Sequence, residues 1–179
     1  MKAFKIVALG FILLILKSSS FGQTTNQSKV IVANLMKQAN DYAKLIQKKD
    51  TILFIEKIYP KLIDKIGGKE MMMEMICKGY SQLAEKGISI DSIKFLNPKI
   101  IIDTAGELQT TMSEIIVMSI PNGKMVTKST LIAISQDKGI TWYLLDTNGN
   151  DIKTMRASFE NLSSKLHIAP KEKPVVFRN

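Results

Sequence analysis

The spacing of apolar residues divides the chain into a helical first half and a strand-rich second half. Between 28 and 48 they recur every three or four positions, which predicts an amphipathic helix. Asp50 is placed to cap a second helix, and Pro60 predicts a kink or break in it, because proline removes an amide donor and clashes with the preceding turn. A third helix is predicted over 69–86. Glycines are expected to end the second and third helices, namely Gly67, Gly68 and Gly87.

Beyond Ile88 the pattern is that of strands joined by turns. Glu107–Ile120 is long enough for an extended, bulged strand, and Asn122-Gly123 predicts a tight primed turn into a partner strand over 125–135. Further elements are predicted as strands over 88–95, 100–102 and 141–146, a short helix over 152–159 and a proline-punctuated tail. This order predicts an α+β fold, with three N-terminal helices packed on a curved, mostly antiparallel sheet and a short C-terminal helix and tail.

Both faces of the long strand carry apolar residues. Glu114, Ile116 and Met118 alternate with Ile115 and Val117. A sheet face open to water normally carries polar residues at every second position, so we expect both faces to be covered. One face would meet the helices, and the other would meet an apolar ligand or a partner subunit. A homodimer through this sheet face is therefore one expected arrangement.

Residues 1–22 have the pattern of a secretory signal peptide. Lys2 and Lys5 precede an uncharged apolar run over 6–16, and Ser20 and Gly22 provide small residues before a cut. The run is too short to span a bilayer, which takes about 20 residues, and no cysteine follows it for lipid attachment. We expect an exported protein without a stable membrane anchor, located in the periplasm or outside the cell. Its mature chain would be one domain over 23–179.

Charge and ligand-type residues exclude several functions. The formal charge of +9 becomes +6 without the three lysines of residues 1–22, and the remaining lysines are interleaved with acids on helices. With only two arginines, no nucleic-acid surface is expected. Cys77 is the only cysteine and is expected to be a small buried hydrophobic residue. His167 is the only histidine, so neither a metal site nor a cofactor is expected.

Residues 135–142, Ser-Gln-Asp-Lys-Gly-Ile-Thr-Trp, match the Asp-box, a β-hairpin motif best known from sialidases and other glycan-handling propellers. A propeller repeats its motif in each blade, whereas this chain carries it once. Ser135, Asp137 and Thr141 are suited to hydrogen bonding within the turn, Gly139 to a left-handed conformation, and Trp142 to covering the hairpin with its ring. We therefore interpret the motif as a structural turn.

The chain over 23–179 resembles the nuclear transport factor two-like superfamily, also described as cone-shaped or cystatin-like α+β proteins. It is most similar to the small exported versions encoded by bacteria of the Bacteroidetes type. The residues that carry the resemblance are Tyr59-Pro60-Lys61-Leu62, Gly67-Gly68-Lys69-Glu70, the strand pair around Asn122-Gly123, 139–146 with Trp142-Tyr143, and 162–170. The resemblance implies a fold but no catalytic motif, because the superfamily includes isomerases, dehydratases, toxin-immunity and transport proteins.

The same resemblance suggests which residues would line a pocket. In the cone-shaped fold a carboxylate and a tyrosine that project into the pocket can move protons next to a carbonyl, since burial raises the carboxylate pKa towards neutrality. Glu107 is one strand carboxylate in the right region. No residue is assigned a catalytic role by motif. The candidate ligand-binding residues are Tyr42, Tyr59, Tyr80, Asp103 and Glu114.

These features favour an exported, non-catalytic module that binds a small apolar ligand or a protein partner through a concave sheet. Two alternatives stay open. The first is a small cofactor-independent isomerase or hydrolase, which needs a buried carboxylate with a raised pKa in a pocket. The second is an accessory glycan-binding protein that uses the Asp-box-like hairpin, which needs Trp142 exposed as a stacking platform.

Overall fold

The N-terminal helices follow the predicted pattern closely. The computed structural model describes residues 21–104 and 106–178. Residues 1–20 of the predicted signal peptide lie outside that range, and its last two residues open the first helix, α1 (Phe21–Lys48). The buried side of α1 carries Leu35, Ala39 and Tyr42, at the spacing of four and three that places residues on one helix face.

Proline and glycine set the ends of the next helices. Asp50 caps α2 (Thr51–Ile55) by accepting a hydrogen bond from the Leu53 amide at 3.1 Å. The predicted break at Pro60 is confirmed, because this residue opens a separate helix, α3 (Pro60–Ile66), where its missing amide costs nothing. The helix α4 (Lys69–Glu85) follows the two glycines. The second predicted helix is therefore two helices, and four helices precede the sheet.

The second half forms one antiparallel sheet, which confirms the α+β class. Its strands are β1 (Ser89–Phe95), β2 (Ile102–Thr104), β3 (Glu107–Ile120), β4 (Gly123–Ser135), β5 (Tyr143–Asp146) and β6 (Val175–Arg178), with α5 (Ile152–Ser158) between the last two. The order is β1-β3-β4-β5, with β2 added to β3 and β6 added to β4. Thus β3 and β4 form a long central hairpin, and each outer edge is shared by two short strands.

The strands differ from the predictions in the tail, which contains β6, and in two further details. The turn after β3 is not a primed turn, because Pro121 occupies its first central position, where the ring fixes φ near −65°, and Asn122 also has negative φ. Only Gly123, which pairs with Ile120, has positive φ. The bulge predicted for β3 lies instead in β1, where the extra residue Asp91 shifts the register against β3.

Each face of the hairpin is covered in its half nearest Ser135. We define the α1 face as the side that carries Met112 and Leu131, which pack against α1. The α5 face carries Ile132 and Ile134, which pack against α5 and the following segment. The expectation that both faces are covered was drawn from residues 114–118, and of these Glu114 is buried while the other four are only half-buried. A third cluster lies among α2, α3 and α4.

Cys77 differs from its expected environment. Cys77 lies on α4 and is exposed, so the prediction that it is a small buried hydrophobic residue is wrong. In this helix Met72 is the buried residue, and Glu74, Cys77, Lys78 and Ser81 are exposed. The apolar content of 69–86 therefore overstated how much of α4 is buried.

Candidate functional site

The sheet has a gap along one edge of β4. Strand β5 pairs with Leu131 to Ile134, and β6 pairs with Gly123 to Val126, so no described strand pairs with residues 127–130 on this side. The Thr130 carbonyl accepts from the Thr147 amide and hydroxyl at 3.4 and 2.8 Å. Because hydrogen-bonding direction alternates along a strand, the amide and carbonyl of Lys128 also face the gap.

A cavity of about 200 Å³ occupies this gap. One wall is residues 127–130 of β4 with Ser113 of β3, another is the turn over 146–149, and the third is the C-terminal segment over 169–174. We call it the gap cavity. The strand wall offers mostly hydroxyl groups and unpaired backbone, whereas Ala169, Pro170 and Pro174 on the opposite wall offer carbon surface. The gap cavity is therefore suited to a molecule with both kinds of surface.

Two contacts hold the C-terminal wall in place. Lys128 Nζ lies 2.8 Å from Glu172 Oε1, which links β4 to the segment across the cavity. The stem of Lys171 lies over Gly149, where a Cβ atom would come within 2.7 Å of Lys171 Cδ. Gly149 also has φ +76, which other residues rarely adopt. An exposed ion pair contributes little stability, so the Lys128–Glu172 pair positions this wall without adding much to the stability of the fold.

Glu114 lies on the α1 face beside the gap. It is only 5 % exposed, and its Oε2 accepts a hydrogen bond at 2.8 Å from the hydroxyl of Ser129, a residue of the cavity wall. The pKa of the Glu114 carboxyl is raised to about 7. Burial is the main cause, the hydrogen bond from the Ser129 hydroxyl offsets part of the rise, and the charge of Asp146 adds to it. The Glu114 carboxyl therefore titrates between its protonated and charged forms near neutral pH.

Tyr42 shares the environment of Glu114. It lies on α1, is buried, and its ring centre is 4.9 Å from that of Phe54 and 6.2 Å from that of Phe95. Burial raises the pKa of its phenol, and the charges of Glu114 and Asp146 raise it further, so the hydroxyl keeps its proton. Among the other four candidate ligand-binding residues, Glu114 raises the pKa of Tyr42 most, and Tyr80 raises it less.

The other three candidates lie on or beside other elements of the fold. Tyr59 is fully buried between β5 and α5, and its hydroxyl accepts from the Asn161 amide at 2.9 Å. Tyr80 is half-buried on α4, with its hydroxyl 3.4 Å from the Ile46 carbonyl. Asp103 is exposed on β2. None of the five candidates lines the gap cavity.

Glu107 belongs to a buried polar cluster at the opposite end of β3. Its oxygens accept hydrogen bonds from the side-chain amides of Gln109, Gln136 and Asn161 at 2.8 to 2.9 Å. Burial by itself raises the pKa of Glu107, but the three amide donors outweigh it and hold the pKa below its ordinary value. Because the carboxylate is charged and fully engaged, its role is to fix the segment that contains Asn161.

The Asp-box-like residues form the expected structural turn. Asp137 Oδ1 accepts from the amides of Ile140 and Thr141, at 3.1 and 2.8 Å, and from the Ser135 hydroxyl at 2.8 Å. Ser135 Oγ in turn accepts from the amide of Gly139, whose φ is +89. A single carboxylate oxygen thus organises the whole turn.

Trp142 lies inside the protein and not on its surface. Its side chain is 1 % exposed, and its ring nitrogen donates to the Gly139 carbonyl at 3.2 Å. Tyr143 packs on the opposite face, as the alternation of the strand predicts. A buried indole cannot stack on a sugar, so this hairpin offers no tryptophan platform for a glycan.

Two residues of α1 hold this turn, and sequence analysis missed both. Asn34 donates to the carbonyls of Gly139 and Ile140 at 2.6 and 2.9 Å. Gln38, one turn later, donates to the Ile140 carbonyl at 2.8 Å and accepts from the Trp142 amide at 3.0 Å. Amides four residues apart in an otherwise apolar helix face were the available signal, since such residues share one side of a helix.

Comparisons of this chain with protein-family models, curated proteins and solved structures find no match. Within the described residues, no helix has both the length and the apolar character needed to cross a membrane. In the same part of the chain, no three His, Cys, Asp or Glu side chains are grouped so that they could hold a metal ion. The site must therefore be interpreted from its own geometry.

Proposed function

We propose that the protein is an exported, non-catalytic binding module whose ligand occupies the gap cavity. The observation that carries this proposal is the missing strand beside residues 127–130, which leaves backbone hydrogen-bonding groups of Lys128 beside a cavity. Proteins seldom leave such groups without a partner. A ligand amide or carboxylate that reaches Lys128 would supply that partner.

The cavity suggests the size and chemistry of this ligand. Its volume of about 200 Å³ is below the roughly 300–1,000 Å³ of pockets for drug-sized molecules. The hydroxyls of Ser113 and Thr130 and the proline wall together favour a small molecule with one polar and one apolar side. The ligand proposed from the structure is thus more polar than the apolar one expected from the sequence.

Export and the partner choices are proposals that rest on sequence. The pattern of residues 1–22 supports export to the periplasm or beyond the cell, and helices followed by an antiparallel sheet support membership of the cone-shaped superfamily. A homodimer through the sheet face would have to use the half of the hairpin farthest from Ser135, because the other half is covered on both faces. Sedimentation velocity measures that oligomeric state directly.

An enzymatic function has one observation in its favour, the near-neutral pKa of Glu114 beside a protonated Tyr42. A general acid or base needs such a pKa. Glu114 is not among the residues that line the gap cavity, however, so a substrate there would meet Ser129 first. Turnover lost in Glu114→Gln but retained in Glu74→Gln, an exposed glutamate of α4, would favour the enzyme over the binding module.

The binding proposal is tested by nuclear magnetic resonance with ¹⁵N-labelled protein. The probes are a panel of small aliphatic amides, alcohols and carboxylates, titrated one at a time. We expect at least one compound to shift the amides of Lys128, Gly149 and Lys171 in a saturable way. Saturable shifts confined to other surfaces, or no shifts at these three amides across the panel, would contradict the proposal.

A further inference from the structure

The last strand presents an apolar edge to solvent. Strand β6 pairs with β4 along one side, from Val126 opposite Val175 to Gly123 opposite Arg178. Val175, Val176 and Phe177 are 54, 46 and 58 % exposed. Within residues 21–104 and 106–178, no strand pairs with the other side of β6. An open edge with three exposed apolar side chains is a recognised template for an added strand.

The hydrogen-bonding direction of β6 identifies the groups at this edge. The ladder between β3 and β4 is continuous, so the alternation that turns the Thr130 carbonyl towards Thr147 also turns Val126 and Lys124 towards β6. Their partners Val175 and Phe177 therefore direct their backbone groups to β4. The backbone groups of Val176 and Arg178 face outwards, and an incoming strand would bond to them.

The charges around β6 select the incoming strand. The nearby acids are already engaged, since Glu172 pairs with Lys128 at 2.8 Å and Asp91 pairs with Lys124 at 3.3 Å. Among the described residues, Lys173 and Arg178 at the two ends of β6 form no ion pair. Within the described part of the chain, both ends of the apolar stretch thus carry a basic side chain without an ion-pair partner. A strand with acidic residues at both ends complements it.

A second copy of β6 is the wrong partner for this edge. If two copies paired antiparallel with Val176 opposite Val176, Arg178 of each would lie opposite Pro174 and close to Lys173 of the other. Pro174 has no amide to donate, and like charges would meet at both ends. Lysine and proline are the residues with which proteins block edge-to-edge pairing. Protection from self-pairing alone does not explain three exposed apolar side chains.

We propose that β6 is a docking edge for an extended segment of another protein, with alternating apolar residues flanked by acidic residues. The incoming strand bonds to the backbone of Val176 and Arg178, and its acidic ends lie beside Lys173 and Arg178. This proposal rests on the edge of β6 and its charges, not on the gap cavity, so either proposal can fail without the other.

Fluorescence anisotropy with the purified protein tests this proposal. The probe is a labelled eight-residue peptide with a Val-Thr-Val-Thr core and two aspartates at each end, and the matched peptide has lysines in place of the aspartates. We expect saturable binding of the acidic peptide, at least about tenfold tighter than that of the lysine peptide. Equal binding of the two peptides, or no saturable binding of the acidic one, overturns the proposal.

Variants of β6 distinguish the contribution of its backbone amide to peptide binding from that of its charges. Val176→Pro removes the outward amide without touching the bonds of Val175 and Phe177 to β4, so affinity for the acidic peptide should fall at least about tenfold, while Val176→Thr stays within about threefold. The double variant Lys173→Glu/Arg178→Glu, at two exposed positions, should reverse the preference between the peptides. The docking proposal is overturned if Val176→Pro or the double variant binds as the wild type does. It is also overturned if the wild type sediments as a dimer that depends on β6.

Discussion

At the scale of single residues, two carboxylates on β3 show how local partners decide chemistry. Glu107 and Glu114 are both buried. Glu107 receives three amide donors and stays charged, whereas Glu114 receives one hydroxyl donor, from Ser129, and has a pKa of about 7. Hydrogen bonds to the charged form oppose the effect of burial, so the number of donors helps to separate the two residues. Their neighbouring charges act in the same sense, since Lys61 lowers the pKa of Glu107 and Asp146 raises that of Glu114. Of these two carboxylates, Glu114 is the one that changes charge in the neutral range.

The first prediction concerns the effect of pH on stability. The pKa of Glu114 rises from 4.5 to about 7 on folding, so the folded state holds this proton while the unfolded state has lost it. The stability contribution is complete below about pH 4.5 and is lost as pH rises to about 7, by roughly 3 kcal/mol in all. Urea unfolding of wild type and Glu114→Gln at pH 5 and 7.5 measures this. The variant should lose much less free energy of unfolding between the two pH values.

Glu74→Gln is the control for that experiment, because Glu74 is an exposed residue of α4. It should keep the wild-type pH dependence. Carboxyl groups whose pKa is lowered on folding, such as Glu107, act at lower pH and do not contribute in this range. The same loss in wild type and Glu114→Gln would show that Glu114 does not titrate near neutral pH.

The second prediction concerns the turn that Asp137 organises. Asp137→Ala removes the acceptor of the Ile140 and Thr141 amides and of the Ser135 hydroxyl. We expect the free energy of unfolding to fall by about 1–2 kcal/mol, the usual cost of losing such an acceptor. Asp137→Asn keeps an acceptor oxygen and should lose less than half as much. Urea denaturation measures both, and equal losses would mean that the charge alone matters.

At the scale of elements, β4 has one edge shared by two short strands that do not meet. Strand β5 ends opposite Leu131 and β6 begins opposite Val126, and the gap cavity lies between them. The approach of β6 depends on Gly123, where a Cβ atom would lie 1.9 Å from the Phe177 carbonyl oxygen. One glycine therefore permits the strand that bounds the cavity on this side.

The third prediction tests this role of Gly123. Gly123→Ala forces the Phe177 backbone away, so the amides of Val175 and Phe177 should lose their protection from hydrogen exchange. The control is Gly106→Ala, because Gly106 also has positive φ but has no atom within 4 Å of a built Cβ. It should lose about 1 kcal/mol from backbone strain alone and leave β6 protected. Protection of β6 retained in Gly123→Ala would contradict the packing described here.

At the scale of the whole molecule, features set by neighbouring residues, such as helix ends, were predicted well. Contacts between distant parts of the chain were not. Pro60 and Asp50 act within their own turn of the chain, so their effects on helix ends could be predicted from neighbouring residues. The cavity wall needs Lys128 to meet Glu172, 44 residues away, and such a pairing leaves no periodic pattern. Strand β6 was missed because its four residues follow a proline in a charged tail.

The candidate site shows the same limit. Tyr42 and Glu114 were selected by residue type, and the fold places them together because α1 packs on the face that Glu114 shares with Met112. Ser129 links Glu114 to the cavity wall. Its role could not be predicted, because a single serine in a strand has no feature that marks it in the sequence. The gap itself follows from the lengths of β5 and β6, which no residue specifies alone.

The most direct test of the binding account fills the gap cavity with a side chain. Ala169 lines the cavity, whereas Ala157 is exposed on α5 and lies outside it. Isothermal titration calorimetry would use the tightest compound of the panel described above with Ala169→Phe and Ala157→Phe. We predict that Ala169→Phe weakens binding by at least about tenfold, or 1.4 kcal/mol, and that Ala157→Phe stays within about twofold of wild type. Equal affinity for both variants would show that the ligand binds elsewhere.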